Sequence, residues 1–329
     1  METTLEIVAL NSRMSSVSVS IIIPVYNVAP YIEDCICSVM RQSYTGPMEC
    51  LVVDDCCTDE SMEIVVRLIS DYVGHILFKI IHHASHRGVS AARNTGIEAA
   101  SYDYIFFLDS DDWITVDCVK KQASSITNSS VEVVQGNTKT YPETQPDANT
   151  KVFSSLHLFS NRDVRYVCYH GNQMPYVWNK LISRAFINKF ALRFVEGLLW
   201  EDVVWNFYLQ KYVQNVCFVP DITYYHRIRS GSIVTGTEKQ HVLANYSAVY
   251  TTILLNLTPK HERAELEHYI VNFPVRYACY PTVFRKVYQL YWEKSIRFNS
   301  FYCCRRLTYA LYLRLKHTLK VLLQECFSF

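Results

Sequence analysis

The sequence predicts an α/β fold in which helices cover both faces of a mostly parallel β-sheet, followed by a helical C-terminal region. Three observations support this prediction. Short apolar stretches alternate with amphipathic helical segments up to residue 135, half of the 329 residues are hydrophobic, and acidic or amide side chains follow several apolar stretches. Alternating strands and helices form parallel sheets with right-handed crossovers, which bring the carboxyl ends of the strands to one edge.

The composition excludes some classes of protein. Lysine and arginine number 32 and aspartate and glutamate 31, so the net charge gives no indication of a nucleic-acid partner. The 12 cysteines are spread through the chain without the spacing of zinc sites, which favours a reduced compartment. The sequence shows no secretion signal and no run of about 18 apolar residues. We therefore expect a cytoplasmic protein.

The first two strand–helix units are predicted up to residue 69. A β-branched run from Val17 to Val25 predicts the first strand, and Pro30 suits the first turn of the following helix. A second apolar strand, Cys50 to Val53, ends in Asp54 and Asp55 before another helical pattern. The two strands are therefore expected to be parallel neighbours.

The next strands are predicted at 76–81 and 104–108, with an alanine-rich helix at 89–100 between them. The uninterrupted apolar run of the fourth strand is typical of a central strand covered on both faces. A helix at 116–126 and a strand at 131–135 are predicted to follow.

The fourth strand stops abruptly at Asp109, Ser110, Asp111 and Asp112. Clustered carboxylates repel one another unless a cation lies between them, and two carboxylates with substrate phosphates form the usual Mg²⁺ site. The alternative is a solvated turn whose acids only cap the next helix.

The second half of the chain is less regular. The polar stretch 136–150 indicates an exposed loop, and Glu201 and Asp202 precede a helical pattern. An aromatic strand is predicted at 222–229. The last helix, 305–323, has a leucine face and a basic face, so it could lie on the inner face of a membrane or dock on its own domain.

Together these motifs resemble the inverting family 2 glycosyltransferases of GT-A fold. The similarity extends from Val17 to about Ile126, with weaker matches at 178–180, 201–202 and 224–229. The motifs are Ile23-Pro24-Val25-Tyr26-Asn27, Val52-Val53-Asp54-Asp55, Gly88-Val89-Ser90-Ala91-Ala92-Arg93-Asn94-Thr95-Gly96 and Phe107-Leu108-Asp109-Ser110-Asp111-Asp112.

The resemblance implies three regions. They are an N-terminal extension (1–16), a GT-A domain (17–236) and a helical C-terminal region (237–329). Within the GT-A domain, 17–135 is the expected nucleotide-binding half and 151–236 the expected acceptor and catalytic half. The sequence gives no indication of the oligomeric state.

The implied activity is metal-dependent transfer of a sugar, with inversion, from a nucleotide-sugar donor. The donor is usually a UDP-sugar, and the acceptor is a hydroxyl of a cell-surface polysaccharide or lipid-linked glycan. By resemblance, Asp111 is the principal Mn²⁺ or Mg²⁺ ligand, Asp109 contacts the ribose or assists at the metal, and Asp112 braces the loop or caps the next helix. His226 is a further candidate ligand, and Arg229 would help to neutralise the diphosphate.

The resemblance also implies the nucleoside contacts. Pro24, Val25 and Tyr26 would form the wall against the base, and Asp55 or Asp54 would accept a hydrogen bond from uracil. The alternative is that these acids stabilise the next helix. The residues implied to bind the nucleotide sugar are Pro24, Val25, Tyr26, Asn27, Asp54, Asp55, Arg93, Asp109, Ser110 and Arg229.

The implied catalytic residues are Asp202 and Glu201. An inverting displacement needs a base to remove the acceptor proton, and Asp202 is the preferred candidate, with Glu201 orienting the acceptor or the loop. A helix N-terminus is expected to keep both acids ionised. Two acids that only cap a helix are the alternative.

One departure from the family pattern concerns the nucleotide loop. The family commonly has Gly-Ser after the acid pair, whereas this chain has Cys56-Cys57, so the loop is expected to differ locally. Two other functions would have different sequence signatures. A haloacid-dehalogenase-like phosphatase would carry its acids on the first strand, and a non-catalytic nucleotide-sugar-binding protein would retain only the fold.

Overall fold

The computed structural model describes residues 16–128, 130–142, 155–160 and 176–229, together with 245, 248–249, 251–253, 255–256 and 289. Nine strands in this part of the chain form one mixed sheet. The predicted α/β fold is therefore confirmed. The predicted C-terminal helix 305–323, like the N-terminal extension up to residue 15, lies outside the described residues.

The first half of the sheet is parallel, as predicted. It contains β1 (Val19–Val25), β2 (Met48–Asp54), β3 (Leu77–His82) and β4 (Tyr104–Phe107) in the order β3-β2-β1-β4. β1, β2 and β4 are buried along their whole length, as expected for central parallel strands. Their carboxyl ends are aligned because the parallel register pairs Val25 with Asp54 and Asp54 with His82.

Three helices follow the first three strands. They are α1 (Ala29–Met40), α2 (Ser61–Ser70) and α3 (Val89–Ala99). Pro30 lies in the first turn of α1, as predicted. Gly96 lets α3 approach β1 closely, because a Cβ atom at this position would lie 2.3 Å from Cγ2 of Ile22. This approach places the side chains of α3 beside the carboxyl edge of the sheet.

The second half of the sheet is mixed. Its elements are β5 (Trp113–Ile114), α4 (Cys118–Ser124), β6 (Val133–Tyr141), β7 (His157–Ser160), β8 (Lys180–Ser183), α5 (Arg184–Lys189), α6 (Glu201–Tyr212) and β9 (Asn215–Arg227). β8 is antiparallel to β4 and β6, whereas β9 is parallel to β6 and antiparallel to β5 and β7. The complete order is β3-β2-β1-β4-β8-β6-β9-β5, with β7 beside β9.

Two boundaries differ from the sequence predictions. The stretch predicted as a loop from residue 136 is strand as far as Tyr141, and β9 begins at Asn215 rather than at residue 222. β6 and β9 pair with each other in parallel, with register shifts near Asn137, so distant backbone groups satisfy the polar end of β6, which has no local strand pattern. The added start of β9 pairs with the start of β6 and with β7.

The described helices include none that is long and apolar enough to cross a membrane. The seven cysteines within the described ranges are free thiols, and Cys35, Cys50, Cys118 and Cys217 are buried. They behave as small apolar side chains in the core.

Candidate active site

The carboxyl ends of β1, β2 and β4 meet at one edge of the sheet, where the predicted acids lie. Asp54 ends β2 and Asp55 follows it, and the acid loop (residues 109–112) lies shortly after β4. Ligands of open α/β sheets bind at this edge. Side chains from β9, α3 and the start of α6 also reach the acid loop, as described below.

Asp112 fastens the acid loop to β9. It is 1% exposed, accepts a hydrogen bond from Tyr224 Oη at 2.6 Å and accepts another from the Arg227 amide at 2.7 Å. Burial, together with the charges of Asp109 and Asp111, raises the pKa of Asp112 well above its ordinary value. These contacts are those of a bracing residue, which agrees with the role expected from the sequence.

Asp111 forms an ion pair with Arg229, the arginine that was predicted to neutralise the diphosphate. Arg229 Nε lies 2.6 Å from Asp111 Oδ2, and the two side chains are 24% and 23% exposed. The neighbouring Arg227 donates through Nε to the Asp111 carbonyl oxygen at 2.9 Å. Arg227 at the end of β9 therefore holds the backbone of Asp111, and Arg229 just after the strand holds its carboxylate.

Arg93 joins the acid loop to α6. Its Nη2 lies 2.6 Å from Asp109 Oδ1, its Nη1 lies 2.5 Å from Glu201 Oε1, and the residue is only 4% exposed. Burial opposes the charge, but Asp109 and Glu201 raise the pKa of the guanidinium above its ordinary value. The guanidinium also lies 5.3 Å from the ring centroid of Phe194. Arg93 therefore links acids from the two halves of the domain and does not point freely toward a ligand.

Asp202 follows Glu201 in the first turn of α6. Burial and then the charge of Glu201 raise the pKa of Asp202 to about 7, against the opposing charge of Arg93. Desolvation therefore opposes the ionisation that the helix N-terminus is expected to favour. The bridge from Glu201 through Arg93 to Asp109 places the first turn of α6 near the acid loop.

The three predicted metal ligands do not form one cluster. Within the described ranges, no group of three or more His, Cys, Asp or Glu side chains is arranged to hold a metal ion. His226 lies in β9, where its ring stacks on Trp178 with a centroid separation of 5.6 Å. Its ring thus belongs to an aromatic stack, whereas Asp109 and Asp111 lie in the acid loop.

Asp54 and Asp55 each form an ion pair or hydrogen bond with a histidine that follows in the chain. Asp54 Oδ2 lies 2.8 Å from His82 Nδ1, and Asp55 Oδ1 lies 2.7 Å from His83 Nδ1. Burial opposes ionisation of Asp54, yet its hydrogen bonds with Cys57 and His82 lower its pKa. Cys57 donates its amide to Asp54, while the Cys56 backbone adopts a φ of 66°. This loop therefore adopts the left-handed conformation that glycine favours, with cysteine in that position.

The predicted wall against the base is only partly exposed. Pro24 and Val25 are buried within β1, because that strand is covered on both faces, and only Tyr26 is exposed, at 41%. Asn27 accepts the Thr58 amide proton at 2.8 Å and so fixes the loop after β2. Of the four residues from Pro24 to Asn27, Tyr26 alone presents an aromatic ring to solvent. The other predicted nucleotide contact, Ser110 in the acid loop, is buried.

Sequence reasoning missed several residues that surround these acids. They include His83, His86, Phe194, Tyr224 and Arg227. The histidines had a signal in the sequence, since three of them occur within residues 82–86 after β3, beside the acid pair. Tyr224 and Arg227 lie in the weaker family match at 224–229, but their contacts with the acid loop join residues more than a hundred positions apart. Phe194 had no signal, because its contact with Arg93 also spans about a hundred positions.

This sheet order, with an acid loop near its carboxyl edge that Arg93 bridges to an acid of a following helix, is that of the GT-A fold. The family model Glycosyl transferase family 2 matches residues 20–190, more than half of the chain. The protein therefore belongs to glycosyltransferase family 2.

Individual relatives agree with this assignment. The chain is 31% identical to glycosyltransferase GlyA of Streptococcus pneumoniae over 255 residues, which cover 73% of this chain and 35% of GlyA. It is 30% identical to glycosyltransferase EpsJ of Bacillus subtilis over 246 residues, which cover 70% of this chain and 68% of EpsJ. The chain thus spans only about a third of GlyA.

The fold also matches a solved structure. The crystal structure of residues 1–349 of S. aureus TarS in complex with UDP-GlcNAc superposes with a TM-score of 0.70 at 18% identity. The match covers 91% of this chain and 89% of the TarS chain. At this identity the similarity concerns the fold.

Proposed function

We propose that this glycosyltransferase is metal-dependent and inverting, and that it moves a sugar from a UDP-sugar to an acceptor hydroxyl of a cell-surface polysaccharide or lipid-linked glycan. The bridge from Asp109 through Arg93 to Glu201 carries the proposal, because it makes the acid loop and the start of α6 border one site. The UDP-GlcNAc bound to TarS supports a UDP-sugar donor.

The nucleoside end of the donor would lie where β1 and β2 end. Tyr26 offers an exposed ring there, and a flat base with apolar faces needs such a surface. Both oxygens of Asp55 already accept hydrogen bonds from the protein, including the Arg87 and Gly88 amides. We therefore assign Asp55 to holding the loop that borders the base. The ribose would lie between this loop and Asp109.

The acid loop fits a divalent cation in its chemistry. Among the described residues, Oδ2 of Asp109 and Oδ1 of Asp111 accept no hydrogen bond, so each carboxylate has one oxygen available. Mg²⁺ and Mn²⁺ prefer oxygen ligands, and Mg²⁺ is usually held by one or two carboxylates with substrate phosphates and water. When bound, the cation would stabilise negative charge on the departing diphosphate. Arg229 can support this charge if it moves from Asp111 to a phosphate oxygen.

Asp202 is the proposed base. The acceptor oxygen attacks the anomeric carbon, its proton passes to an Asp202 carboxylate oxygen, and the bond from carbon to the phosphate oxygen breaks with its electrons on the diphosphate. A single displacement of this kind inverts the anomeric configuration. A pKa of about 7 suits this task, because a base works best when its pKa lies near the operating pH. Glu201, held by Arg93, would keep the start of α6 in place.

A binding screen of nucleotide sugars with and without Mn²⁺ tests the donor and the metal together. We expect a UDP-sugar to bind and its affinity to require the metal. Asp111→Asn should weaken this metal-dependent binding and abolish turnover. Asp202→Asn should retain donor binding and stop transfer, and NMR of the wild-type product should show the inverted anomer. Metal-independent binding, a retained anomeric configuration or an active Asp202→Asn variant would each refute the corresponding part of the proposal.

A further inference from the structure

The ring of His86 stacks on the one exposed ring of the candidate base-binding wall. The centroids of His86 and Tyr26 are 3.9 Å apart and the ring planes differ by 24°. The His86 side chain is 49% exposed and Tyr26 is 41% exposed. The pair therefore lies at the surface and contributes little to the core.

Asp55 fixes the orientation of the His86 ring. His86 Nδ1 lies 2.8 Å from Asp55 Oδ2, and Asp55 is only 2% exposed. Because one nitrogen is tied to a buried carboxylate, the ring is ordered before any ligand arrives. A preorganised aromatic surface binds with a smaller entropic cost than a mobile one.

The loop that carries His86 is anchored independently of its ring. Asp55 also accepts the Arg87 amide proton at 2.9 Å and the Gly88 amide proton at 2.7 Å. In addition, His83 lies 2.7 Å from the same carboxylate. Loss of the His86 side chain should therefore leave the loop in place.

We infer that His86 is a nucleobase-contacting residue that, with Tyr26, forms a stacked aromatic surface for the base of the donor. This inference rests on the proposed function, because it assumes that a nucleotide occupies the carboxyl edge of the sheet. Every base has two flat π faces, and stacking on an aromatic side chain strengthens binding whichever base is present. From the usual strength of such stacking, removal of the ring should weaken nucleotide binding between about 5-fold and about 150-fold.

The test measures affinities of UDP, CDP, GDP and ADP, and of inorganic pyrophosphate as a probe without a base, all with Mn²⁺ present. His86→Ala should weaken binding of the preferred nucleotide by between about 5-fold and about 150-fold, and it should leave pyrophosphate binding unchanged. His86→Phe keeps a ring but cannot bond to Asp55, so it should retain most of the affinity. His86→Asn keeps a polar group without a ring and should resemble His86→Ala. His75→Ala is the control, because this exposed histidine also makes one hydrogen bond, to the Tyr44 carbonyl oxygen at 2.9 Å.

Several outcomes would overturn the inference. Unchanged or tighter nucleotide binding by His86→Ala would mean that the ring contributes nothing or covers the site. Equal losses for nucleotide and pyrophosphate would indicate a general effect on the loop, and a phenylalanine variant as weak as alanine would exclude stacking. If the wild type prefers a nucleotide other than UDP, the proposed donor is wrong while the role of His86 is still decided. If no nucleotide binds, both proposals fail.

Discussion

Replacing Arg93 with methionine should destabilise the protein strongly, because it removes the guanidinium that joins the partly exposed Asp109 to the buried Glu201. Methionine keeps the apolar stem of the side chain and its packing near Phe194. Breaking a buried ion pair costs about 3–5 kcal/mol of the free energy of unfolding, since an unpaired charge is left behind. The Asp109 side chain is 26% exposed and partly screened, whereas that of Glu201 is 10% exposed. We therefore expect a loss near the lower limit, about 3 kcal/mol at neutral pH.

Urea unfolding followed by tryptophan fluorescence measures this loss, and the chain supplies a matched control. Arg67 pairs with Glu33 at 3.3 Å, but the two side chains are 63% and 60% exposed. Arg67→Met should therefore cost less than about 1 kcal/mol. A loss equal to that of Arg67→Met would refute the reasoning, because the burial of the Arg93 ion pairs would then add nothing to stability.

Three further predictions concern activity and stability. With the pKa of Asp202 near 7, kcat/KM should fall about tenfold per pH unit below that value, because the protonated carboxyl group cannot accept a proton. Glu201→Gln should move this limb of the profile to lower pH, since the charge of Glu201 raises the pKa of Asp202; an unmoved limb would contradict the coupling. Cys56→Gly should raise the free energy of unfolding by about 0.5–1 kcal/mol, because it relieves a positive φ, and a lower urea midpoint would argue against this. Tyr224→Phe should lower the free energy of unfolding by about 1–3 kcal/mol by removing the hydroxyl that donates to buried Asp112, and an unchanged denaturation curve would contradict that bond.

The parallel half of the fold could be predicted because its signals are local. β1, β2 and β4 are apolar runs buried on both faces, and each helix between them carries a regular apolar face or a proline at its start. In the second half, the strands gain their stability from distant partners. β8 pairs with β4 and β6, and the polar part of β6 is held by β9, so neither β8 nor the second part of β6 has a pattern that its own sequence would reveal.

The candidate site divides in the same way. The types of the acids and their positions after the strands could be predicted, since parallel strands place their carboxyl ends together. Their partners could not. Arg93 fits a nucleotide-binding role by its motif, yet it bonds to Glu201 from 108 positions away. The raised pKa of Asp202 follows from its burial and then from the charge of Glu201, which the local sequence does not reveal. The solvent exposure of the residues along β1 could not be predicted either, because Val25 is buried only through the central position of that strand in the sheet.

The hydrogen-bond partners of the acids distinguish the acids that stabilise the fold from an acid whose partner can change during a reaction. Asp55 and Asp112 are almost fully buried and accept hydrogen bonds from backbone amides, which cannot leave without unfolding the loops they belong to. Asp111 is held differently, because Arg229 is a long, partly exposed side chain that can turn toward another anion. A bound diphosphate would compete for this guanidinium and free an oxygen of Asp111 at the same moment. We therefore expect Arg229→Met to weaken the binding of UDP more than the binding of the metal alone, whereas Asp111→Asn should weaken the binding of both.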